Sequence, residues 1–285
     1  MIQTAVCTDK IVFEGVRNFS PALIFDCGQC FRFDVLADGS AEGTVGREHA
    51  KISVNGDTVT VDGGQDRELW RRFLCIDEDY DAIKKNIGEH FGKYGYVIFD
   101  AMRVGNGIRI LRQDEWEALC SFIVSQNNNI GRIKKIIARL CEKFGEPFES
   151  GGKIYYSFPK AETLACASEI DIFSCGTGFR AKYISDAAKR VASGETDLGL
   201  IAAMDDEAAR EELMKICGVG PKVANCALLF GFHRLSSFPI DVWIKRVLDK
   251  YYKNGIDLGD LGDYAGVAQQ YLFYYERYKN GEEIK

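Results

Sequence analysis

The chain has 285 residues, 46% of them hydrophobic and 27% charged, with a formal net charge of -6. That is the composition of a soluble globular protein with room for one large domain or two modest ones, and no apolar run is long enough to span a bilayer, so no membrane partner is expected. The negative charge excludes a broadly basic coat for nucleic acid, so such binding needs a local basic face, which Arg132, Lys134, Lys135, Arg139 and Lys143 offer.

In chain order, residues from about 1 to 65 read as β-rich. Two alternating runs flank Asn55-Gly56 between Ile52 and Val61, a hairpin signal. Phe31 to Val35 and Ala41 to Arg47 read as further strands, and an antiparallel sheet is expected. Asp66 to Cys75 and Asp79 to Phe91 read as helices, and Gly107 to Leu111 as one more strand. From Asp114 onward helical periodicity dominates. Helices are expected over Glu115 to Val124, Ile130 to Phe144, Ala181 to Ala192, Glu207 to Ile216, Lys222 to Phe230, Val242 to Tyr252 and Tyr264 to Lys279. Ser125 to Asn129 interrupts the series. The pattern predicts an α+β chain: an N-terminal antiparallel β-sheet domain (1–112) packed on a mainly α-helical domain (113–285), with a helix-hairpin-helix near 207–230.

There are ten cysteines. Cys27-Gly-Gln-Cys30 has no second pair and no histidine cluster with it, so no zinc site is expected. The thiols are expected to be reduced and mostly buried. The N-terminus lacks the layout of a signal peptide. A cytoplasmic, nucleoid-associated protein is expected, or a nuclear one in a eukaryotic host.

The chemistry concentrates in Leu213-Met-Lys-Ile-Cys-Gly-Val-Gly-Pro-Lys222. The stretch reads as a helix end, a tight turn through Gly218-Val219-Gly220, and a new helix opened by Pro221 at its first position. Glycine is expected to provide positive-φ conformations. The backbone N–H groups of Gly218, Val219 and Gly220 are expected to point outward and hold a DNA phosphate. Lys222 falls in the first turn, where the helix dipole disfavours a cation, a position that suits a neutral amine as well as a solvated charge. Down-chain, Pro239-Ile240-Asp241 precedes another apolar-periodic helix, and Asp241 is a good N-cap. A hairpin alone is more often a plain phosphate-binding module, and an Asp before a helix is more often only a cap. Turn, amine and carboxylate occurring in order point to more.

This ordered set resembles the helix-hairpin-helix glycosylase superfamily, in which a Lys in the hairpin marks the branch with lyase activity. Ser121-Phe-Ile-Val-Ser-Gln-Asn127-Asn-Asn-Ile-Gly-Arg132, together with Cys27-Gly28-Gln29-Cys30-Phe31-Arg32, Gly178-Phe179-Arg180-Ala181-Lys182-Tyr183 and Ala268-Gln269, is similar to 8-oxoguanine DNA glycosylase of the eukaryotic type. The resemblance implies a DNA repair enzyme that flips its target base out of duplex DNA and excises 8-oxoguanine, preferably opposite cytosine. Lys222 would attack C1′ and form a Schiff base, β-elimination would follow, and Asp241 would steady the cationic sugar. Gly28 would accept from the N7–H of the oxidised base, Gln269 would meet its Watson–Crick edge, and Phe273 and Cys226 would pack on its two faces. Asn127, Arg132, Phe179 and Arg180 would fill and read the gap, with Phe179 as the wedge. Trp243 stands where relatives often carry a phosphate-touching histidine.

No cysteine follows Cys226, so the C-terminal iron–sulfur cluster of some relatives is not expected. No cofactor is implied beyond a monovalent cation that superfamily analogy places on the hairpin carbonyls. A monomer acting on duplex DNA is expected. Two rival readings stand beside this one: a non-catalytic helix-hairpin-helix DNA-binding protein, and a monofunctional alkylbase glycosylase that uses Asp without Lys.

Overall fold

The computed structural model describes residues 10–279. It begins with β1 (Lys10–Phe13), α1 (Pro21–Asp26), β2 (Phe33–Val35), β3 (Ala41–Val45), β4 (Glu48–Asn55) and β5 (Thr58–Asp62). Strand order is β1-β5-β4-β3-β2 and every neighbouring pair is antiparallel. The alternation written in the sequence buries Ile52, Val59 and Val61 on one face. Asn55 pairs with Thr58, so the turn is centred on Gly56-Asp57, one residue beyond Asn55-Gly56, and Gly56 takes the positive φ of 61°.

Three helices follow: α2 (Arg67–Phe73), α3 (Tyr80–Phe91) and α4 (Val97–Val104). Asp66 and Asp79 cap the first two through their carboxylates. Gly107 to Leu111 does not form the expected strand. Its backbone groups are met by side chains: Tyr80 Oη accepts from Ile110 N, Gln29 Oε1 accepts from Leu111 N, and Gln29 Nε2 donates to Arg109 O. With those groups satisfied, the segment stays extended without a partner strand while Ile108, Ile110 and Leu111 are fully buried.

The remainder is mainly helical: α5 (Glu115–Ser125), α6 (Ile130–Phe144), a small hairpin of β6 (Pro147–Ser150) and β7 (Lys153–Tyr156), then α7 (Ala161–Cys166), α8 (Glu169–Ile172), α9 (Ala181–Ala192), α10 (Leu198–Ala203), α11 (Asp206–Met214), α12 (Pro221–Phe230), α13 (Val242–Tyr251) and α14 (Ala265–Lys279). The sheet has its own core around Phe25, Phe33, Trp70 and Phe73. A larger core joins α5, α6, α9, α12 and α14, and it also takes Tyr80, Ile87 and Phe91 of α3 and Ile98 of α4. Helix α5 is apolar nearly all round and lies at the centre of that core. The Phe122 ring of α5 stacks on Phe230, the last residue of α12, at 5.1 Å between centroids, which packs α5 against α12. No helix among the described residues is long and apolar enough to cross a membrane.

Candidate active site

The hairpin between α11 and α12 is built by its two glycines in different ways. Gly218 has φ +78°, and a Cβ there would lie 2.4 Å from the Tyr183 ring, so both conformation and space demand glycine. Gly220 is extended, with φ -100° and ψ -178°, so only one of the two supplies a positive φ. Nothing lies within 4 Å of a Cβ built on Gly220, and no side chain caps α12, so its first turn opens to solvent. The expectation for Val219 is corrected: its N–H donates to Ile216 O at 3.0 Å and closes the turn. The donors open to an anion are those of Gly218, Gly220 and the first turn of α12.

Lys222 is half-buried on that turn. Its Nζ donates to Ser125 Oγ at 3.1 Å and lies 5.3 Å from the centroid of the Phe122 ring. Ser125, which donates onward to Phe122 O, was not singled out in the sequence. It is the last residue of α5, and only the packing of α5 on α12 brings it to the amine. Asp241 caps α13 by accepting from Trp243 N at 3.0 Å and Ile244 N at 2.9 Å. Burial pushes its carboxyl above the usual aspartate value, against those two N–H bonds and the nearby Lys222 charge. Burial likewise raises the Cys226 thiol, while Lys222 pulls it down. Amine, carboxylate and thiol thus share one field.

These groups stand at a cleft of about 590 Å³ whose lining includes Gly28, Phe31, Lys222, Cys226, Asp241, Gln269 and Phe273. That volume accommodates one extruded base. Gly28 has φ +76°, and a Cβ there would come within 3.3 Å of Ile130 Cδ1 and 3.7 Å of the Phe273 ring, so its backbone faces the cleft wall closely. Gln269 is buried, and its Oε1 has no hydrogen-bond partner. An amide oxygen left unpaired at a cleft wall is an acceptor waiting for a ligand donor. Gln270, next in the chain, donates to Cys27 O and ties α14 to the loop that carries Gly28.

Asn127 lies in the loop between α5 and α6 and lines the cleft, Arg132 stands in the first turn of α6, and Phe179 and Arg180 come just before α9, from where Arg180 reaches the Asn127 loop. Asn127 is exposed with φ +47°. Phe179 is half exposed. The arginines differ. Arg132 is exposed, and its guanidinium has no partner among the described residues. Arg180 is buried: Nε donates to Gln126 O at 2.8 Å, NH2 to Gln126 O and Asn127 O, and NH1 to Thr177 O at 3.1 Å. In this structure Arg180 therefore holds the Asn127 loop, with four of its five N–H donors committed to backbone carbonyls. The basic face is also narrower than the sequence suggests. Lys134 pairs with Asp34 and Lys143 with Asp171, so Arg132, Lys135 and Arg139 are the charges of that face without a carboxylate partner among the described residues. Trp243 lines the cleft mouth with Arg246 stacked 4.7 Å from its ring centroid, which places a cation beside the indole.

A helix-hairpin-helix that carries a lysine and a capping aspartate at the mouth of a base-sized cleft defines a base-excision repair fold. Residues 120–256 match the HhH-GPD superfamily of base excision DNA repair proteins. Residues 11–119 match the N-terminal domain of 8-oxoguanine DNA glycosylase, so the sheet and the helices belong to one known arrangement. The chain belongs to the 8-oxoguanine DNA glycosylase family of that superfamily.

A Saccharomyces cerevisiae N-glycosylase/DNA lyase is 38% identical over 52% of this chain and 42% of its own length. A probable N-glycosylase/DNA lyase of Methanothermobacter thermautotrophicus is 32% identical over 60% of this chain and 64% of its own length. The chain thus spans about half the length of these relatives. Among solved structures, MBOgg1 in complex with a low-affinity DNA ligand has a TM-score of 0.89 at 41% identity, covering 95% of this chain and 96% of that one. Clostridium acetobutylicum 8-oxoguanine glycosylase/lyase, in complex with double-stranded DNA containing cytosine opposite 8-oxoG, has a TM-score of 0.87 at 38% identity, covering 95% and 96%.

Proposed function

We propose that this protein removes 8-oxoguanine from duplex DNA, preferably opposite cytosine, and then cleaves the strand by β-elimination. The observation that carries the reading is the half-buried Lys222 amine, aimed by Ser125 and near the half-buried Asp241 carboxyl at the rim of a cleft walled by Phe273, Cys226 and Gln269. A binding module needs the open hairpin donors but neither the amine nor the carboxylate. A monofunctional glycosylase of this fold needs no lysine here. The Clostridium acetobutylicum relative, described as a glycosylase/lyase, supports the same choice.

The reaction follows from these groups. The neutral Lys222 amine forms a bond to C1′ as the C1′–N9 bond breaks and its electron pair leaves with the base. The developing positive charge on the sugar lies beside Asp241, where a carboxylate lowers the barrier by several kcal/mol. The new ammonium loses a proton, the C1′–O4′ bond opens with O4′ taking up a proton, and a Schiff base to Lys222 results. The imine acidifies C2′. Loss of that proton expels the 3′ phosphate, and water then frees the lysine. No step calls on a cofactor. Gln269 meets the flipped base through its unpaired Oε1, and Phe273 stacks on it.

The test is single-turnover incubation with duplexes carrying 8-oxoguanine or guanine opposite each of the four bases. Release of 8-oxoguanine but not guanine, fastest opposite cytosine, with a nicked strand as product, is the expected result. Binding without base release would reduce the protein to a binder. Base release that leaves an intact abasic strand would remove the lyase.

A further inference from the structure

We propose that Cys75, Glu78 and His233 form a binding site for a divalent metal ion of the zinc class, separate from the base cleft. Cys75 and Glu78 stand just after α2, and His233 in the loop just after α12. Cys Sγ, a Glu carboxylate oxygen and a His ring nitrogen lie within 4.8 Å of one another. None of the three lines the base cleft.

The geometry favours a metal over the other uses of such a trio. Cys75 Sγ lies 3.6 Å from His233 Nε2, and Glu78 Oε1 lies 2.5 Å from the same nitrogen. A nucleophilic triad places thiol and carboxylate on opposite ring nitrogens. Here both converge on one, as ligands around a common centre do. Tetrahedral zinc with its usual bond lengths sets sulfur and nitrogen ligands roughly 3.6 Å apart, and sets nitrogen and oxygen roughly 3.3 Å apart. The thiol is already in place, and only the carboxylate has to draw back.

Two further features point the same way. Glu78 Oε2 and His233 Nδ1 are buried without a hydrogen-bond partner, so a bare Glu78–His233 ion pair leaves the trio unsatisfied. A metal provides a partner for the carboxylate. Both Cys75 and His233 also hold a positive φ, +50° and +55°, which is strained for residues with a Cβ. The strain turns thiol and imidazole toward each other. Arg109 keeps that backbone in place by donating to Cys75 O at 2.5 Å and Glu78 O at 3.3 Å, and its charge lies on the carbonyl side of the chain. Thiolate, imidazole and carboxylate together suit zinc.

Burial pushes the Cys75 thiol well above its usual value, so a metal binds it in exchange for the thiol proton. Metal entry breaks the S–H bond and the proton leaves to solvent. The imidazole binds through its Nε2 lone pair as the neutral tautomer protonated on Nδ1, and any proton shared between Nε2 and Glu78 leaves to solvent as well. No oxidation state changes. The bound ion would clip the end of α2, from the sheet side, to the end of the helix that carries Lys222.

The test uses the full chain with the exposed Cys166 and Cys217, and Cys7 outside the described residues, replaced by serine. After chelation and dialysis this protein is titrated with cobalt(II). One equivalent should bind with a thiolate-to-cobalt charge-transfer band that zinc displaces. Cys75→Ser should abolish the band, and His233→Ala should weaken binding at least roughly tenfold. Equimolar zinc should also raise the melting temperature of the background protein and leave that of His233→Ala unchanged. Absence of the band in the background protein, or its persistence in Cys75→Ser, would overturn the proposal and leave an ion pair beside an inert thiol.

Discussion

Gln269→Met separates what the Gln269 amide does for the fold from what it does for a ligand. The side chain is 4% exposed and its Oε1 has no partner. A buried, unpaired carbonyl destabilises the free protein by about 1–3 kcal/mol. Methionine has nearly the same length, no such oxygen, and enough flexibility to fill the space. The variant should therefore be more stable than the wild type. For a chain of this size 1 kcal/mol corresponds to about 2–4 °C, so the melting temperature should rise by about 2–12 °C. The same change removes the polar contacts to the flipped base. Two hydrogen bonds at about 0.5–1.5 kcal/mol each give roughly a 5- to 150-fold loss in excision under subsaturating conditions. The assay is calorimetric melting of the free protein beside single-turnover excision from an 8-oxoguanine:cytosine duplex. A lower melting temperature together with wild-type excision would make Gln269 a packing residue and refute the reasoning.

Asp241→Asn keeps an acceptor for Trp243 N and Ile244 N, so the cap survives. Burial raises the folded-state pKa of Asp241, so its contribution to stability is full in acid and is lost as pH rises through that value. The variant should therefore be more stable than wild type at neutral pH, the gap should close in acid, and excision should slow by about 10²–10³; equal melting at both pH values would contradict this. Gly218→Ala places a methyl into the Tyr183 ring and should weaken binding to duplexes with and without the lesion alike, read by fluorescence anisotropy. Arg132→Met should reduce the preference for cytosine over adenine by about 1–3 kcal/mol with no change in melting, because its guanidinium is exposed. Arg180→Met should instead lower the melting temperature and slow excision equally opposite all four bases, because it unpins Gln126 and Asn127; a changed base preference at unchanged melting would return Arg180 to base reading.

The sequence was most readable where local chemistry decides structure. The Asp241 cap of α13 and Pro221 at the start of α12 lie where the sequence put them, and α2 and α3 begin right after Asp66 and Asp79, where their helices were read to start. Most of what escaped is short: α1, α7, α8 and α10 hold too few residues for a period to emerge, the eight-residue α4 was missed with them, and the β6–β7 hairpin turns on Gly151-Gly152 without an alternating pattern. Gly107 to Leu111 looked like a strand because its apolar residues are buried, but burial alone cannot say whether a strand or side chains complete the backbone. In the cleft, Lys222 and Asp241 were visible through their turn and cap. Ser125 was not, since the contact to Lys222 exists only through the crossing of α5 and α12. The Cys75, Glu78 and His233 cluster was hidden for the same reason, with its third member far along the chain.

The central claim is that the Lys222 amine is the nucleophile, and borohydride reduction during turnover reads it directly. Incubation of the protein with an 8-oxoguanine:cytosine duplex and borohydride should leave a covalent protein–DNA adduct, and peptide mass spectrometry should place the reduced sugar on Lys222. Lys222→Gln should bind the same duplex and give no adduct. An adduct mapped to another lysine, or undiminished trapping in Lys222→Gln, would contradict the account.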